Sequence, residues 1–180
     1  SLRYSILASG STGNVTYLET NHHRILIDAG LSGKKIAGLM SKINRSLADV
    51  EAIFVTHEHS DHCHGVGVLA RRYGMAVYAN EGTWQAMANK VGKIPEEQKF
   101  LLAPNSVKTF GDMDIESFSV SHDAAQPQFY QVHHNNKTFC VLTDTGYVSD
   151  RVAGTIRDAD AYLMECNHDT EMLRMGPYSW

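Results

Sequence analysis

The sequence has little of several features that would assign it to a special class of protein. No apolar run approaches the roughly 20 residues of a membrane-spanning helix, and no basic start followed by an apolar stretch marks an export signal. The three cysteines are odd in number and form no CxxC pair, which favours reduced thiols over a disulfide framework. We therefore expect a soluble, cytoplasmic protein with no membrane partner.

Linkers and an excess of basic residues are also missing. With four prolines and no low-complexity run, the sequence offers no domain boundary, and we expect residues 1–180 to form one domain. Lysine and arginine number 16 against 20 aspartate and glutamate, a net charge of −4, which excludes a protein that is held on nucleic acid by overall charge alone. Any polyanion must be bound by local groups. The unusual count is that of histidine, of which there are 10.

Short apolar segments alternate with segments of helical periodicity along the chain. Residues 52–55 are wholly apolar, which is typical of a strand covered on both faces. Beyond Gly30, apolar residues at 36, 39, 40 and 43 predict an amphipathic helix with Ser32 as its N-cap. Further strands are predicted at 2–8, 15–19, 24–28, 76–79, 107–110, 114–119, 128–134, 138–142 and 161–164, and further helices at 66–73, 81–91 and 150–156. This mixture predicts two packed sheets with helices outside, an α/β or α+β architecture.

A histidine-rich segment, residues 56–62, directly follows the apolar strand at 52–55. On a helix His57 and His59 could not reach one ion, whereas on a loop they can, and Asp61 and His62 would then face a second ion. Imidazole and carboxylate suit zinc, manganese and iron. The spacing therefore predicts a metal site, whereas the histidine pairs at 22–23 and 133–134 are interpreted as solvated hairpin ends.

This segment resembles the H-x-H-x-D-H motif of the metallo-β-lactamase superfamily. The resemblance implies a four-layer αββα sandwich of two mixed sheets with helices outside, and it implies further site residues. Asp28 would orient the ligands from behind, although a plain strand-end aspartate is an equal alternative. His122 would complete the ligand set of the first ion, and Asp144 would bridge both ions.

One element of the family pattern is missing. Members with two ions supply a final histidine from a C-terminal loop, and no histidine follows His168 before Trp180. We therefore expect a domain whose C-terminal part is missing. The second ion could be three-coordinate, or His168 could substitute, or the second site is incomplete. We favour an incomplete second site that retains its ion weakly.

The resemblance also implies a chemistry, which is hydrolysis by a metal-bridged hydroxide. Two divalent ions, zinc or manganese with iron as an alternative, lower the pKa of bound water from about 15.7 to about 7. In this arrangement Asp61 would orient the hydroxide and carry a proton, and Glu165 or His168 would assist. Cys63 lies among these residues and is interpreted as a packing thiol.

The loop at 9–14 is a candidate contact for the substrate. It lacks the Gly-Lys-Ser/Thr of a P-loop, but Ser11 and Asn14 could meet a phosphate beside the metals, and a simple tight turn is an equal alternative. Together with residues 56–65 and 165–169, the loop resembles the YycJ/WalJ (VicX) branch of the superfamily. That resemblance implies a cytoplasmic nuclease, a 5′-to-3′ exonuclease acting on DNA rather than RNA. The alternatives are a glyoxalase-like thioesterase and a metal-binding regulatory protein with a vestigial site, and the oligomeric state is not indicated.

Overall fold

The structure is a computed structural model of the chain and describes residues 1–119, 125–141, 154–159, 163–164 and 173–174. Its strands are β1 Arg3–Ala8, β2 Val15–Glu19, β3 Arg24–Ile27, β4 Ala52–Phe54, β5 Ala76–Ala79, β6 Lys99–Leu101, β7 Val107–Phe110, β8 Met113–Ser119, β9 Gln128–His134, β10 Lys137–Val141, β11 Arg157–Asp158, β12 Leu163–Met164 and β13 Leu173–Arg174. Its helices are α1 Gly33–Lys42, α2 Ser60–Cys63, α3 Val66–Tyr73 and α4 Glu81–Val91, with short 3-10 helices at Leu47–Asp49 and Glu96–Gln98.

The first sheet contains seven strands in the order β11-β1-β2-β3-β4-β5-β6. The strands from β11 to β3 pair antiparallel, and those from β3 to β6 pair parallel. In the parallel pair of β3 and β4, Ile27 lies opposite Phe54. The side chains that directly follow these two strands therefore meet at one end of the sheet.

Helices α1, α3 and α4 cover one face of the first sheet. Ile36 and Met40 of α1, Leu69 of α3 and Met87 of α4 are buried in a common core with side chains of the sheet. Burial of each such side chain stabilises the fold by roughly 1.5–3 kcal/mol. Ser32 begins α1, because its hydroxyl accepts a hydrogen bond from a backbone N–H of the first turn.

The second sheet packs on the opposite face of the first. Its four strands follow the order β10-β9-β8-β7, and every described pair is antiparallel. Phe54, Tyr78 and Tyr130 lie in the apolar core that contains residues of both sheets, and Phe54 stacks on Tyr78 with ring centroids 4.6 Å apart. The described layers are therefore helices, a mixed sheet and an antiparallel sheet, which confirms the predicted sandwich of two sheets.

A buried charged cluster closes the end of the first sheet that is opposite Asp28. Glu19 is 0% exposed and accepts hydrogen bonds from Arg45 at 2.6 and 2.9 Å and from the Tyr17 hydroxyl at 2.5 Å, and Arg3 approaches it to 2.7 Å. Burial by itself would raise the pKa of Glu19, but the hydrogen bonds from Arg45 and Tyr17 and the charge of Arg3 hold that pKa below its ordinary value. The cluster therefore contains a carboxylate that stays ionised although it is buried.

Most predicted elements are confirmed, several of them to the residue. The predicted helix at 150–156 is wrong for its described part, because Gly154 adopts a left-handed φ of 71° and donates its N–H to the carbonyl of Ile6. Cys140 is disulfide-bonded whereas Cys63 is free and buried, so the expectation of reduced thiols is wrong for Cys140. Spacing along the chain does not reveal which thiols the fold brings together.

None of the helices in the described ranges has both the length and the apolar character that a bilayer crossing requires. The cytoplasmic location and the single domain over 1–180 stay predictions.

Candidate metal centre

The histidine-rich segment leaves the first sheet at the end of β4. After Phe54 the chain forms an irregular loop over 55–59, and α2 then begins at Ser60 with His59 as its N-cap. The loop turns His57 and His59 towards each other, and their ring centroids are 4.6 Å apart. The ring of His62, from the first turn of α2, lies 4.1 Å from that of His57. Three imidazoles therefore meet at the carboxyl end of β4.

Asp28 follows the neighbouring strand β3 and lies behind these rings, only 2% exposed. Its Oδ1 accepts a hydrogen bond from the backbone N–H of Thr56 at 2.8 Å. Its Oδ2 accepts from the Thr56 hydroxyl at 2.7 Å and lies 2.7 Å from Nδ1 of His62. Asp28 has a left-handed φ of 64°, which aspartate tolerates better than most residues. The carboxylate of Asp28 is thus held by Thr56 and His62, which both follow strand β4.

The hydrogen bonds of Asp28 determine which ring nitrogens carry protons. An ionised carboxylate only accepts, so Nδ1 of His62 must donate to it. The Thr56 hydroxyl donates its hydrogen to Asp28, so its oxygen accepts from Nδ1 of His57, 3.0 Å away. In a neutral imidazole the other nitrogen, Nε2, is then the acceptor, and an acceptor nitrogen is what a metal ion needs. The network therefore makes Nε2 the acceptor nitrogen of both rings, and in His62 that nitrogen faces Nδ2 of Asn14 at 3.2 Å.

The loop between β1 and β2 packs against α2. Nδ2 of Asn14 lies 3.2 Å from Nε2 of His62 and 3.4 Å from Oδ2 of Asp61, and the Asn14 backbone N–H donates to the carbonyl of Asp61 at 2.7 Å. Oδ2 of Asp61 is 3.5 Å from Nε2 of His62, and the Asp61 side chain is 30% exposed. Asn14 closes its own loop through two hydrogen bonds with Gly10, and Ser11 is exposed. Of the two predicted substrate residues, Asn14 therefore stands beside predicted ligands.

Thr56 and Gly30 also shape this region, although the sequence motifs predicted no role for them. The Gly30 N–H donates to the carbonyl of Asn14 at 3.0 Å, and a Cβ at Gly30 would lie 1.8 Å from the carbonyl oxygen of Asp61. Only glycine permits this approach. Both residues left a signal in the sequence, since a threonine after a buried strand needs a hydrogen-bond partner and a glycine after a strand can mark a close approach of two backbones.

Glu58 links the same loop to other parts of the chain. Its Oε2 accepts from the backbone N–H of Ala125 at 3.0 Å, and its carbonyl accepts from Nζ of Lys90 at 2.9 Å and from Sγ of Cys63 at 3.1 Å. Burial raises the pKa of the Cys63 thiol to about 11. A buried, protonated thiol packs as a small apolar group and is unreactive.

The described donors have the chemistry of a metal site, although they are not a complete one. Imidazole nitrogens and a carboxylate suit zinc, manganese and iron. Within the described ranges, no group of three or more histidine, cysteine, aspartate or glutamate side chains could hold an ion. The other predicted site residues lie outside the described residues: His122, Asp144, Glu165 and His168. The residues present therefore fit a metal ion only if further ligands join them.

Comparison with known proteins identifies the family. The sequence matches the family model described as a beta-lactamase superfamily domain over residues 23–179. The chain belongs to the metallo-β-lactamase superfamily. A solved structure of a metallo-β-lactamase with a HARLDQ motif from Cronobacter sakazakii has the same fold, with a TM-score of 0.64 and 20% identity over 75% of this chain and 59% of that chain. The predicted fold class is thereby confirmed, and superfamily membership implies divalent metal ions.

Two curated relatives of this superfamily member match nearly the whole chain. It is 61% identical over 180 residues to Exodeoxyribonuclease WalJ of Streptococcus pneumoniae serotype 2 (strain D39 / NCTC 7466), with 99% of this chain and 67% of the relative covered. It is 56% identical over 179 residues to Exodeoxyribonuclease YycJ of Bacillus anthracis, with 99% and 68% covered. The chain thus spans about two thirds of the length of these relatives. The predicted resemblance to the YycJ/WalJ branch is confirmed.

Proposed function

We propose that this chain carries the metal site of a DNA exonuclease. The observation that carries the proposal is the hydrogen-bonded path from Asp28 through Thr56 to His57, together with the bond from Asp28 to His62, since it keeps two imidazoles in the metal-binding form. The chain is a hydrolase of its superfamily, and the exodeoxyribonuclease names of relatives at 61% and 56% identity support DNA as the substrate.

The proposed ligands divide between two ions. His57, His59 and His122 are assigned to the first ion, Asp61 and His62 to the second, and Asp144 to both. Zinc or manganese suits this set, with iron as an alternative. When bound, such ions supply a water of lowered pKa and stabilise charge on phosphoryl oxygens.

Asp61 is the described acid that is best placed to move a proton. Its side chain is 30% exposed, whereas that of Asp28 is 2% exposed and already occupied by Thr56 and His62. We assign to Asp61 the orientation of the attacking water and the removal of its proton. Hydrolysis forms one P–O bond from water, breaks the P–O bond to the departing nucleotide and returns a proton to that oxygen. Glu165 and His168 are assigned a supporting role in this last transfer.

The loop at 9–14 is the proposed contact for substrate phosphate. Asn14 brings its side-chain amide within 3.4 Å of Asp61, and Ser11 on the same loop is exposed. A hydroxyl donates to phosphate oxygens, and the Asn14 amide, which bonds the Gly10 carbonyl, would exchange that partner for a phosphate oxygen. These contacts require no overall positive charge, which agrees with the net charge of −4.

Digestion of end-labelled DNA by a His59→Ala variant tests the proposal. Oligonucleotides labelled at the 5′ or the 3′ end, single- or double-stranded, are incubated with the chain and added Mn²⁺ or Zn²⁺. We expect release of labelled nucleotides by the wild type and none above background by His59→Ala. His22→Ala is the matched control, because His22 is exposed in the turn between β2 and β3, at the far end of the sheet.

Three results would contradict the proposal or redirect it. Unchanged digestion by His59→Ala would rule out a role of the histidine loop in the reaction. Hydrolysis of thioesters without any hydrolysis of DNA would favour the thioesterase alternative. Hydrolysis of RNA in preference to DNA would retain the metal site but correct the substrate.

A further inference from the structure

A line of buried polar side chains connects α4 with the loop that carries His57 and His59. Asn80 caps α4 by accepting from the backbone N–H of Thr83 at 2.8 Å, and its Nδ2 donates to Oε1 of Gln128 at 3.0 Å. Nε2 of Gln128 donates to the hydroxyl of Tyr130 at 2.8 Å. That hydroxyl donates to the carbonyl of Val55 at 2.6 Å. Asn80, Gln128 and Tyr130 are each at most 1% exposed.

The line ends on the peptide group that precedes Thr56. The carbonyl of this peptide accepts from Tyr130, and its N–H donates to Oδ1 of Asp28 at 2.8 Å. The next peptide is held as well, because the carbonyl of Thr56 accepts from the backbone N–H of Gln128 at 2.9 Å. Both peptide planes around Thr56 are therefore fixed. The preceding plane is held by Tyr130 and Asp28, and the following plane is held by the backbone of Gln128 in the second sheet. With both planes fixed, the backbone angles of Thr56 and the position of the His57 Cα are fixed too.

We propose that Tyr130 is a positioning residue for the metal-binding loop. It reaches that loop through the carbonyl of Val55, and it makes no hydrogen bond to a proposed ligand among the described residues. Without the hydroxyl, this buried carbonyl loses its partner and the peptide can rotate, which weakens the bonds from Thr56 to Asp28. The inference rests on the proposed function, in which His57 and His59 bind metal.

Tyr130→Phe removes the hydroxyl and keeps the ring. Outer partners of metal ligands contribute about 10- to 100-fold to metal affinity, and we expect the lower figure, about tenfold, because Tyr130 acts through the backbone. Tyr17→Phe is the matched control, since Tyr17 is also 0% exposed and its hydroxyl also donates to a buried acceptor, Glu19, at the opposite end of the sheet. Tyr130→Phe loses two buried hydrogen bonds, one of which ends on the metal-binding loop, whereas Tyr17→Phe loses one, which ends on Glu19.

Metal affinity of the full chain is the measurement. The wild type and both variants are freed of metal and titrated with Zn²⁺ and with Mn²⁺ by calorimetry, and urea unfolding of the metal-free chains records their stability. The expected result is a dissociation constant about tenfold higher for Tyr130→Phe and unchanged for Tyr17→Phe. A general loss of stability would move the affinities of both variants alike, and that result overturns the proposal.

The remaining outcomes separate this inference from the proposed function. A wild type that binds metal, beside a Tyr130→Phe variant of equal affinity, overturns the positioning role alone. A wild type that binds neither ion overturns the proposed function and this inference with it. Should Tyr130→Phe fail to fold, the double variant Tyr130→Phe/Gln128→Met replaces it, because it also removes the Gln128 amide that loses its acceptor with the hydroxyl, and it keeps the backbone N–H that holds Thr56. Wild-type affinity in this double variant then overturns the positioning role.

Discussion

Replacing Asp28 with asparagine should weaken metal binding without unfolding the chain. The substitution keeps the size of the side chain, and the amide oxygen can still accept from the backbone N–H of Thr56, as Oδ1 of Asp28 does at 2.8 Å. The amide nitrogen takes the place of Oδ2, which receives the Thr56 hydroxyl and Nδ1 of His62, both at 2.7 Å. An amide nitrogen donates and cannot accept, so both of these partners must change their role.

The change of role reaches both buried histidines. Nδ1 of His62 can then only accept, which moves the ring proton to Nε2 and removes the lone pair that would bind metal. The Thr56 hydroxyl accepts from the new amide and donates instead to Nδ1 of His57, 3.0 Å away. The same proton shift follows in His57. One substitution therefore inverts the tautomers of two proposed ligands.

The expected magnitude follows from these contacts. Loss of a group that orients metal-binding histidines lowers metal affinity by about 10- to 100-fold, which is about 1.4–2.7 kcal/mol. Hydrogen bonds to a charged carboxylate are stronger than those to an amide, so we also expect the free energy of unfolding of the metal-free chain to fall by about 1 kcal/mol. The loss in affinity should exceed the loss in stability.

Calorimetric titration with Zn²⁺ and urea unfolding test this expectation. Asp114→Asn serves as the control, because Asp114 also accepts from a threonine hydroxyl, that of Thr109 at 2.8 Å, but does so on the surface. We expect Asp114→Asn to bind Zn²⁺ as the wild type does. Wild-type affinity in Asp28→Asn would refute the tautomer argument, because the ring nitrogens would then bind metal whatever Asp28 donates or accepts.

Three further predictions concern packing, charge and thiol reactivity. Gly30→Ala should destabilise the chain and disturb Asp61, because a Cβ at Gly30 would lie 1.8 Å from the Asp61 carbonyl oxygen. Gly38→Ala is the control: a Cβ at Gly38 has nothing within 4 Å, so this substitution should stabilise α1 by about 0.5–1 kcal/mol. Urea unfolding of both variants measures these changes in stability. Glu19 has a lowered pKa despite its burial, so it contributes stability above the ordinary glutamate pKa of about 4.3 that is lost as pH falls through the folded value. The Glu19→Gln variant should therefore be less stable than the wild type at pH 7 by about 3 kcal/mol, and its free energy of unfolding should fall less steeply as the pH is lowered. An unchanged dependence on acidic pH would contradict the lowered pKa of Glu19. Cys63, buried with a pKa of about 11, should react with iodoacetamide only after denaturation, and mass spectrometry of the native chain at pH 8 would reveal any earlier labelling.

Local sequence patterns predicted a strand or helix correctly where the residues that stabilise it are adjacent in the chain. The predicted bounds of β2, Val15–Glu19, and of α4, Glu81–Val91 with Asn80 as its cap, match the structure, because apolar period and capping are written into adjacent residues. Other described elements have no such pattern, α2 and β6 among them. In α2, Ser60–Cys63, a single turn is fixed by Asn14 and Ala29, which donate to its carbonyls from distant loops. In β6, Lys99–Leu101, every residue is exposed, and only pairing with β5 makes the segment a strand.

The candidate site divides in the same way. The residue types and spacing of His57, His59 and Asp61 indicated metal chemistry, because a ligand's identity belongs to its side chain. Spacing could not show which nitrogen of each imidazole is available to a metal, because this depends on Asp28. The parallel pairing of β3 with β4 places Asp28 beside Thr56. A proton's position on a ring is set by the partner across space, and partners across space are made by packing.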